Sequence, residues 1–117
     1  MPIVYDPQNL FAKMLRGEIP YQLVHEDDYI LSFHDIQPKA PVHILAIPKG
    51  AYVDAFDFHH RASADEIMGF YKGINDIIRL LKLENNGFRL ISNAGIDGCQ
   101  EIMHYHIHIL GGKLTNL

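Results

Sequence analysis

The sequence is poor in cysteine and in positive charge. Its 117 residues include a single cysteine, Cys99, so an intramolecular disulfide is excluded and the thiol content suits a reducing compartment. Ten lysines and arginines stand against fourteen aspartates and glutamates, which gives a formal net charge of −4. This balance argues against the basic stripe that neutralises a nucleic-acid backbone. We therefore expect no DNA or RNA polymer as a partner.

Long apolar runs and several familiar motifs are also missing. No uninterrupted apolar stretch approaches the roughly 20 residues that span a bilayer. The N-terminus lacks the basic segment and long apolar run of a secretory signal. We therefore expect a cytoplasmic protein with no membrane partner. The sequence contains neither Gly-x-x-x-x-Gly-Lys nor Gly-x-Gly-x-x-Gly, so classical NTPase and dinucleotide-cofactor functions have no support.

The composition that remains is typical of one folded domain. Hydrophobic residues make up 48% of the chain and charged residues 21%, the mix of an ordinary globular protein. A chain of 117 residues is long enough for one core and too short for two. We therefore expect a single domain over residues 1–117, with its core at about 8–112.

Hydrophobic periodicity predicts about five strands and two helices. Apolar spacing indicates a short helix at 9–16 and a long helix at 63–83, whose first residues, Ser63 to Glu66, form a capping box. The residues between Pro48 and Ala62 have the character of a loop. Runs rich in β-branched and aromatic residues predict strands at 21–24, 29–33, 42–47, 88–92 and 102–110. This grouping favours an α+β fold with an antiparallel sheet.

Three histidines alternate with other residues near the end of the chain, in His104-Tyr105-His106-Ile107-His108. On a strand, alternate side chains share a face, so we expect the three imidazoles on one face and Tyr105, Ile107 and Ile109 on the core face. Three polar rings in one place carry a desolvation cost. The run therefore calls for a functional explanation.

The residues alone leave three explanations open. The run could be a solvated strand face without function. It could bind zinc through two histidines, with His43 as a third ligand, although the run holds no carboxylate to support a metal. A neutral imidazole can also attack phosphorus. The preceding loop, with Asn93, Gly95 and Gly98, offers an amide and backbone N–H groups to an anion.

With these residues in view, the sequence closely resembles the histidine triad family of nucleotide hydrolases and transferases, in particular its nucleoside phosphoramidase branch. The run from His104 to Leu110 carries the signature of three histidines separated by single residues. Segments 33–49 and 11–20 also resemble the family, so the likeness covers nearly the whole chain. The resemblance implies a single histidine triad domain of HIT-like α+β fold. It also implies a hydrolase that needs neither metal nor other cofactor.

The resemblance further implies a division of labour among four histidines. His106 would attack the α-phosphorus of a nucleoside phosphoramidate or anhydride and form a covalent nucleotidyl-histidine, which water would hydrolyse. His108 would contact the phosphate and the leaving group, while His104 and His43 would support them. The family's uridylyltransferase branch has glutamine at the third position, so His108 favours hydrolysis over transfer.

The expected substrate is a small purine nucleotide. By resemblance, Asp35 would accept the ribose hydroxyls within a ribose-binding segment that includes His34, and Asn93 would lie near the phosphate or the leaving group. The purine would lie in an apolar pocket, although core packing would explain each of its residues as well. That pocket comprises Leu10, Phe11, Met14, Ile19, Phe33 and Ile36.

Two residues of the predicted phosphate loop depart from the family pattern. The family often has glycine at the position of Cys99, so a backbone that requires positive φ would be strained here. Some members have serine at the position of Glu101, which here adds a charge near the leaving group. We expect both residues to contact the nucleotide.

Other functions remain open. A dinucleoside polyphosphate hydrolase would use the same chemistry with a different leaving group. A metal-binding or interaction module would use the histidines without turnover. A homodimer is expected from the resemblance only.

Overall fold

The computed structural model describes residues 4–113, which form an antiparallel five-stranded sheet with helices on both faces. The strands are ordered β1-β2-β3-β5-β4. They are β1 (Leu23–Glu26), β2 (Ile30–His34), β3 (Val42–Pro48), β4 (Phe88–Ile91) and β5 (Ile107–Gly111). The helices are α1 (Leu10–Leu15), α2 (Ala55–Arg61) and α3 (Ala64–Leu80), with a 3₁₀ turn at Leu83–Asn85. The predicted α+β fold is confirmed.

Alternation along the strands divides the core between the two faces of the sheet. On β3, Ile44 and Ala46 point into the larger cluster beneath α3, whereas Leu45 and Ile47 join a smaller cluster with α1. This is the period of two that places successive side chains on opposite faces. His43 therefore lies on the same face as Leu45, away from α3.

The long helix α3 begins where the sequence predicts. The Ser63 side chain accepts from the Glu66 N–H, and the Glu66 carboxylate accepts in return from the Ser63 N–H. The predicted capping box is therefore present. α3 ends at Leu80 rather than near residue 83. Within the described residues, no helix is long and apolar enough to cross a membrane.

The prediction of a loop between Pro48 and Ala62 is wrong, because α2 lies within it. Asp54 caps this helix, and its side chain accepts from the Asp57 N–H. α2 has seven residues and buries only Phe58 fully. Such a helix is too short to show the apolar stripe on which the prediction relied.

The predicted strand at 102–110 is wrong in its first half, since β5 begins at Ile107. Its ladder with β3 starts at the pair Ala46 and Ile107, beyond which β3 ends at Pro48. Proline has no N–H to continue a ladder, and the Tyr105 N–H bonds the carbonyl of Tyr52 instead. The three histidines therefore do not lie on one strand, although Phe11 of the smaller cluster packs against both His104 and His106 on the face away from α3.

Candidate functional site

A cleft of about 540 Å³ opens on the sheet face away from α3, a volume typical of small-molecule sites. It lies between α1, the β2–β3 connection and the loop at 92–101. The structure brings most of the predicted site residues together here. The cleft is lined by Leu10, Phe11, Met14, Phe33, His34, Asp35, Ile36, His43, Asn93, Cys99, Glu101, His106 and His108, among others.

Two predicted site residues lie outside the cleft. His104 is fully buried, so it can act only through its neighbours. Ile19 packs against the smaller core cluster behind α1 and does not line the cleft. Ile36 lines the cleft but is 90% exposed, so it offers a rim rather than an enclosing wall.

His43 and His108 form a hydrogen-bonded pair whose direction the backbone determines. The Lys39 N–H donates to His43 Nδ1 over 3.0 Å, so a neutral His43 carries its proton on Nε2. His43 Nε2–H then donates to His108 Nδ1, 2.9 Å away. A neutral His108 must in turn carry its proton on Nε2. His108 therefore has an N–H donor left for a group bound in the cleft.

His106 has the opposite arrangement. Its Nδ1 lies 2.8 Å from the carbonyl oxygen of His104, which can only accept, so Nδ1 carries the proton. The Nε2 atom of a neutral His106 then holds a free lone pair. This is the atom that a nucleophilic imidazole needs.

Burial keeps these rings neutral. Desolvation is the largest cause of a lowered pKa at His43 and at His106. It also lowers the pKa of His108 to about 4, with the charges of His106 and His43 acting in the same direction. Burial disfavours the charged form of an imidazole. The site therefore offers a neutral nucleophile and a neutral donor at physiological pH.

The loop before the histidines is held in place by a buried side chain, that of Gln100. Its Oε1 accepts from the Gly95 N–H, and its Nε2 donates to the carbonyls of Val53 and Ile102. Cys99 adopts φ +60°, the left-handed conformation that disfavours residues with a Cβ atom. The strain anticipated at Cys99 is thus present in the backbone.

Asp35 lines the cleft from the connection between β2 and β3. One carboxylate oxygen accepts from the Gln37 N–H. The other lies 3.4 Å from His43 Nε2. The carboxylate is 18% exposed, so its remaining lone pairs can accept from a bound hydroxyl group.

An aromatic wall closes the end of the cleft near α1. Phe11 packs edge-on against His106, with ring centroids 5.1 Å apart, and against Phe33 at 5.5 Å. Tyr21 packs against Phe33 in turn. Flat apolar surfaces of this kind suit an aromatic base.

The same site could hold a metal ion. Single ligand atoms of Asp35, His43 and His108 lie within 4.8 Å of one another. Two imidazoles and a carboxylate are a known zinc ligand set. A metal there would replace the proton that His43 shares with His108.

Sequence reasoning missed three contributors to this site. Gln100 and the Lys39 N–H orient other groups, and a sequence pattern cannot reveal such contacts. Tyr5 bonds His104 across 99 positions of sequence. None of the three belongs to a sequence motif that would indicate its role in the site.

Comparison with known proteins agrees with this geometry. Residues 16–115 match the HIT domain family. A 13.2 kDa HIT-like protein of Azospirillum brasilense is 49% identical over 113 residues, which cover 97% of this chain and 93% of its own. A protein of Zea mays named 14 kDa zinc-binding protein is 36% identical over 113 residues, which cover 95% and 87%.

Solved structures agree as well. A histidine triad protein from Clostridium difficile superposes with a TM-score of 0.82 at 42% identity, covering 92% of this chain and 94% of its own. A HIT family hydrolase from Clostridium thermocellum has a TM-score of 0.84 at 31% identity, covering 94% and 95%. This chain therefore belongs to the histidine triad (HIT) domain family.

Proposed function

We propose that the protein hydrolyses purine nucleoside 5′-phosphoramidates through a covalent nucleotidyl intermediate on His106. One observation carries the proposal: His106 donates its Nδ1 proton to a backbone carbonyl and so keeps Nε2 free beside the cleft. Relatives described as HIT family hydrolases support hydrolysis as the general reaction.

In the first step, His106 Nε2 attacks phosphorus and the bond from phosphorus to the leaving nitrogen breaks. The departing nitrogen takes the proton from His108 Nε2, so that an amine leaves. The hydrogen-bonded pair of His108 and His43 is then one proton short, and its negative charge is balanced by the positive charge of the adduct on His106 until the second step. In the second step water attacks phosphorus, its proton returns to His108 Nε2, and His106 Nε2 is released. The products are the amine and a nucleoside monophosphate.

The rest of the cleft would bind the nucleotide. We assign the ribose hydroxyls to Asp35, whose carboxylate keeps free lone pairs. The purine would lie along Phe11 and Phe33. Asn93 and Glu101 would lie at the phosphate and leaving-group side.

The test uses adenosine 5′-phosphoramidate in the presence of a chelator. We expect turnover by the unaltered protein and a loss of roughly 10³-fold or more in kcat for His106→Ala, with AMP affinity largely kept. His60→Ala, an exposed position on α2, serves as the matched control and should keep the parent's rate. Turnover of His106→Ala near the parent's level would refute the nucleophile.

The leaving group defines the runner-up within the same chemistry. A dinucleoside polyphosphate would bring a phosphate oxygen in place of the amine, and His108 would meet a leaving group that needs no proton. Comparing kcat/KM for the phosphoramidate and for a diadenosine polyphosphate decides between them. We expect the phosphoramidate to be preferred.

A second candidate function is zinc binding, which Asp35, His43 and His108 favour by their proximity. The name of the Zea mays relative points the same way. Zinc at this site would displace the proton that His43 Nε2 donates to His108 Nδ1. His108 would then lose the arrangement that keeps its own proton on Nε2 for the leaving group. We therefore expect added zinc to inhibit turnover and a chelator to preserve it. Activity that vanishes with chelator and returns with zinc would instead favour a metal-dependent site.

We also propose that the chain acts as a cytoplasmic homodimer built from one histidine triad domain. β4 is an edge strand of the sheet, and its Phe88 and Leu90 are 39% and 45% exposed. Exposed apolar side chains on an edge strand invite pairing with another chain. Sedimentation at the mass of a monomer would contradict the dimer.

A further inference from the structure

Tyr5 makes a short hydrogen bond to the buried histidine of the site. Its hydroxyl lies 2.6 Å from His104 Nδ1, and the two rings pack edge to face with centroids 5.6 Å apart. Tyr5 precedes α1, far from the histidine run in sequence. This contact joins the start of the described chain to the histidine run at 104–108.

The direction of the contact follows from the other side of the His104 ring. His104 Nε2 lies 2.9 Å from the carbonyl oxygen of Pro48, which can only accept. The ring proton of a neutral His104 is therefore on Nε2. Its Nδ1 must accept, and the Tyr5 hydroxyl donates to it.

These two bonds fix the residue whose backbone orients the nucleophile. His104 contributes its carbonyl oxygen to His106 Nδ1–H at 2.8 Å. His104 lies outside both β4 and β5, and the peptide that carries its carbonyl is held by one backbone bond, from the Tyr105 N–H to the Tyr52 carbonyl at 2.7 Å. The bonds of the His104 ring to Pro48 and Tyr5 hold the same residue from its other side, so the position of the carbonyl depends on both.

The segment that carries Tyr5 is itself tied to α1. Asn9 caps α1 and donates from its side chain to the Asp6 carbonyl. The Arg16 guanidinium donates to the carbonyl of Pro7. Phe11 of the same helix packs against both His104 and His106. These contacts hold the segment that carries Tyr5 in place, and with it the position of the Tyr5 hydroxyl.

We propose that Tyr5 is a positioning residue for the reaction, which holds His104 so that the His104 carbonyl keeps His106 in the tautomer and orientation for attack. This role rests on the proposed function of His106. Tyr5 touches no substrate and lies outside the residues that line the cleft.

The test compares Tyr5→Phe with Tyr29→Phe. Tyr5→Phe removes only the hydroxyl and keeps the ring that packs against His104. Tyr29 is 39% exposed, does not line the cleft and lies against Gly69 of α3, so it is the matched control. Because misplacement of a reacting group by about 1 Å can cost about 100-fold, we expect kcat of Tyr5→Phe to fall roughly 10-fold to 100-fold. KM and AMP affinity should stay within about twofold of the parent, since the binding surfaces are untouched.

A second measurement reads the histidines directly by ¹⁵N NMR of labelled protein. In the parent, His104 Nδ1 should show the shift of a hydrogen-bonded acceptor. In Tyr5→Phe it should move toward that of a free ring nitrogen, and the His106 Nδ1 proton should exchange faster with water. The parent spectrum by itself shows whether Tyr5 donates to His104 Nδ1. The hydrogen bond can therefore be tested even if Tyr5→Phe is destabilised.

Each outcome bears on the proposal. A lower melting temperature for Tyr5→Phe with unchanged kcat, measured well below unfolding, would overturn the positioning role and leave a structural one. A parent His104 Nδ1 without a hydrogen bond would overturn it too. If the parent itself does not turn over a phosphoramidate, the proposed function fails. In that case, an unchanged rate of exchange of the His106 Nδ1 proton with water in Tyr5→Phe would separately refute the role of Tyr5.

Discussion

Acid should destabilise this protein through His104, the histidine that is fully buried. Desolvation is the main cause that lowers its pKa from 6.5 to about 4, with the charge of His106 acting in the same direction and the bond to Pro48 against it. In the unfolded chain the same ring titrates near 6.5. Between these two values the unfolded chain binds more protons than the folded one.

The sign and size follow from proton linkage. The contribution of His104 to the free energy of unfolding should be nearly constant above about pH 6.5. It should fall as the pH drops toward 4, because protons favour the unfolded state there. A shift from 6.5 to about 4 corresponds to about 3.4 kcal/mol once the pH is below both values. Between pH 7 and pH 5, the share of His104 is about 2 kcal/mol.

Urea unfolding of the parent and of His104→Asn at pH 7, 6 and 5 measures this share. The lowered pKa values of His43, His106 and His108 act in the same direction in both proteins, so the difference between the two isolates His104. We expect His104→Asn to lose about 2 kcal/mol less than the parent from pH 7 to pH 5. Equal losses in the two proteins would refute the reasoning. His60→Asn, on the exposed surface of α2, is the control.

Three further changes test other parts of the site. Cys99→Gly should raise the free energy of unfolding by about 1 kcal/mol, because it relieves the left-handed strain at φ +60°; a loss of stability in urea would contradict this. Gln100→Leu should cost about 3 kcal/mol, since it leaves the Gly95 N–H and two carbonyls unpaired, and unchanged stability would count against that account of the loop. Asp35→Asn should raise KM roughly tenfold for a ribonucleotide substrate, by weakening charge-assisted hydrogen bonds, but hardly for its 2′,3′-dideoxy analogue; equal effects on both would remove Asp35 from the ribose.

The fold could be predicted from the sequence where an element is long enough for its hydrophobic pattern to repeat several times. α3 runs over enough turns to show its buried stripe, and its capping box signals the start. β2 and β3 were placed within two residues of their observed bounds. α2 was missed because seven residues with one fully buried side chain carry no repeat.

The histidine run shows the limit of a local pattern most clearly. Alternation predicts three rings on one face of a single strand. The rings do lie on the side of Phe11, but only His108 lies on β5. His104 and His106 lie in the segment before β5, where the partner strand has ended at Pro48. The expectation that Tyr105, Ile107 and Ile109 face the core is confirmed. The residue types and the faces that they occupy were therefore predicted correctly, while the extent of the strand was not.

The sequence by itself determined the residues available for chemistry: four imidazoles, a carboxylate and a polar loop, in a spacing that pointed to one family. Only the tertiary structure decided which nitrogen of each ring holds the proton, because a pattern of residue types does not show where the neighbouring backbone groups point or which distant groups approach the rings. The Lys39 N–H sets His43 and, through it, His108, while the Pro48 carbonyl and the Tyr5 hydroxyl set His104. A hydrogen bond needs two groups at the right distance and angle, and such meetings across the fold are not written in any local pattern.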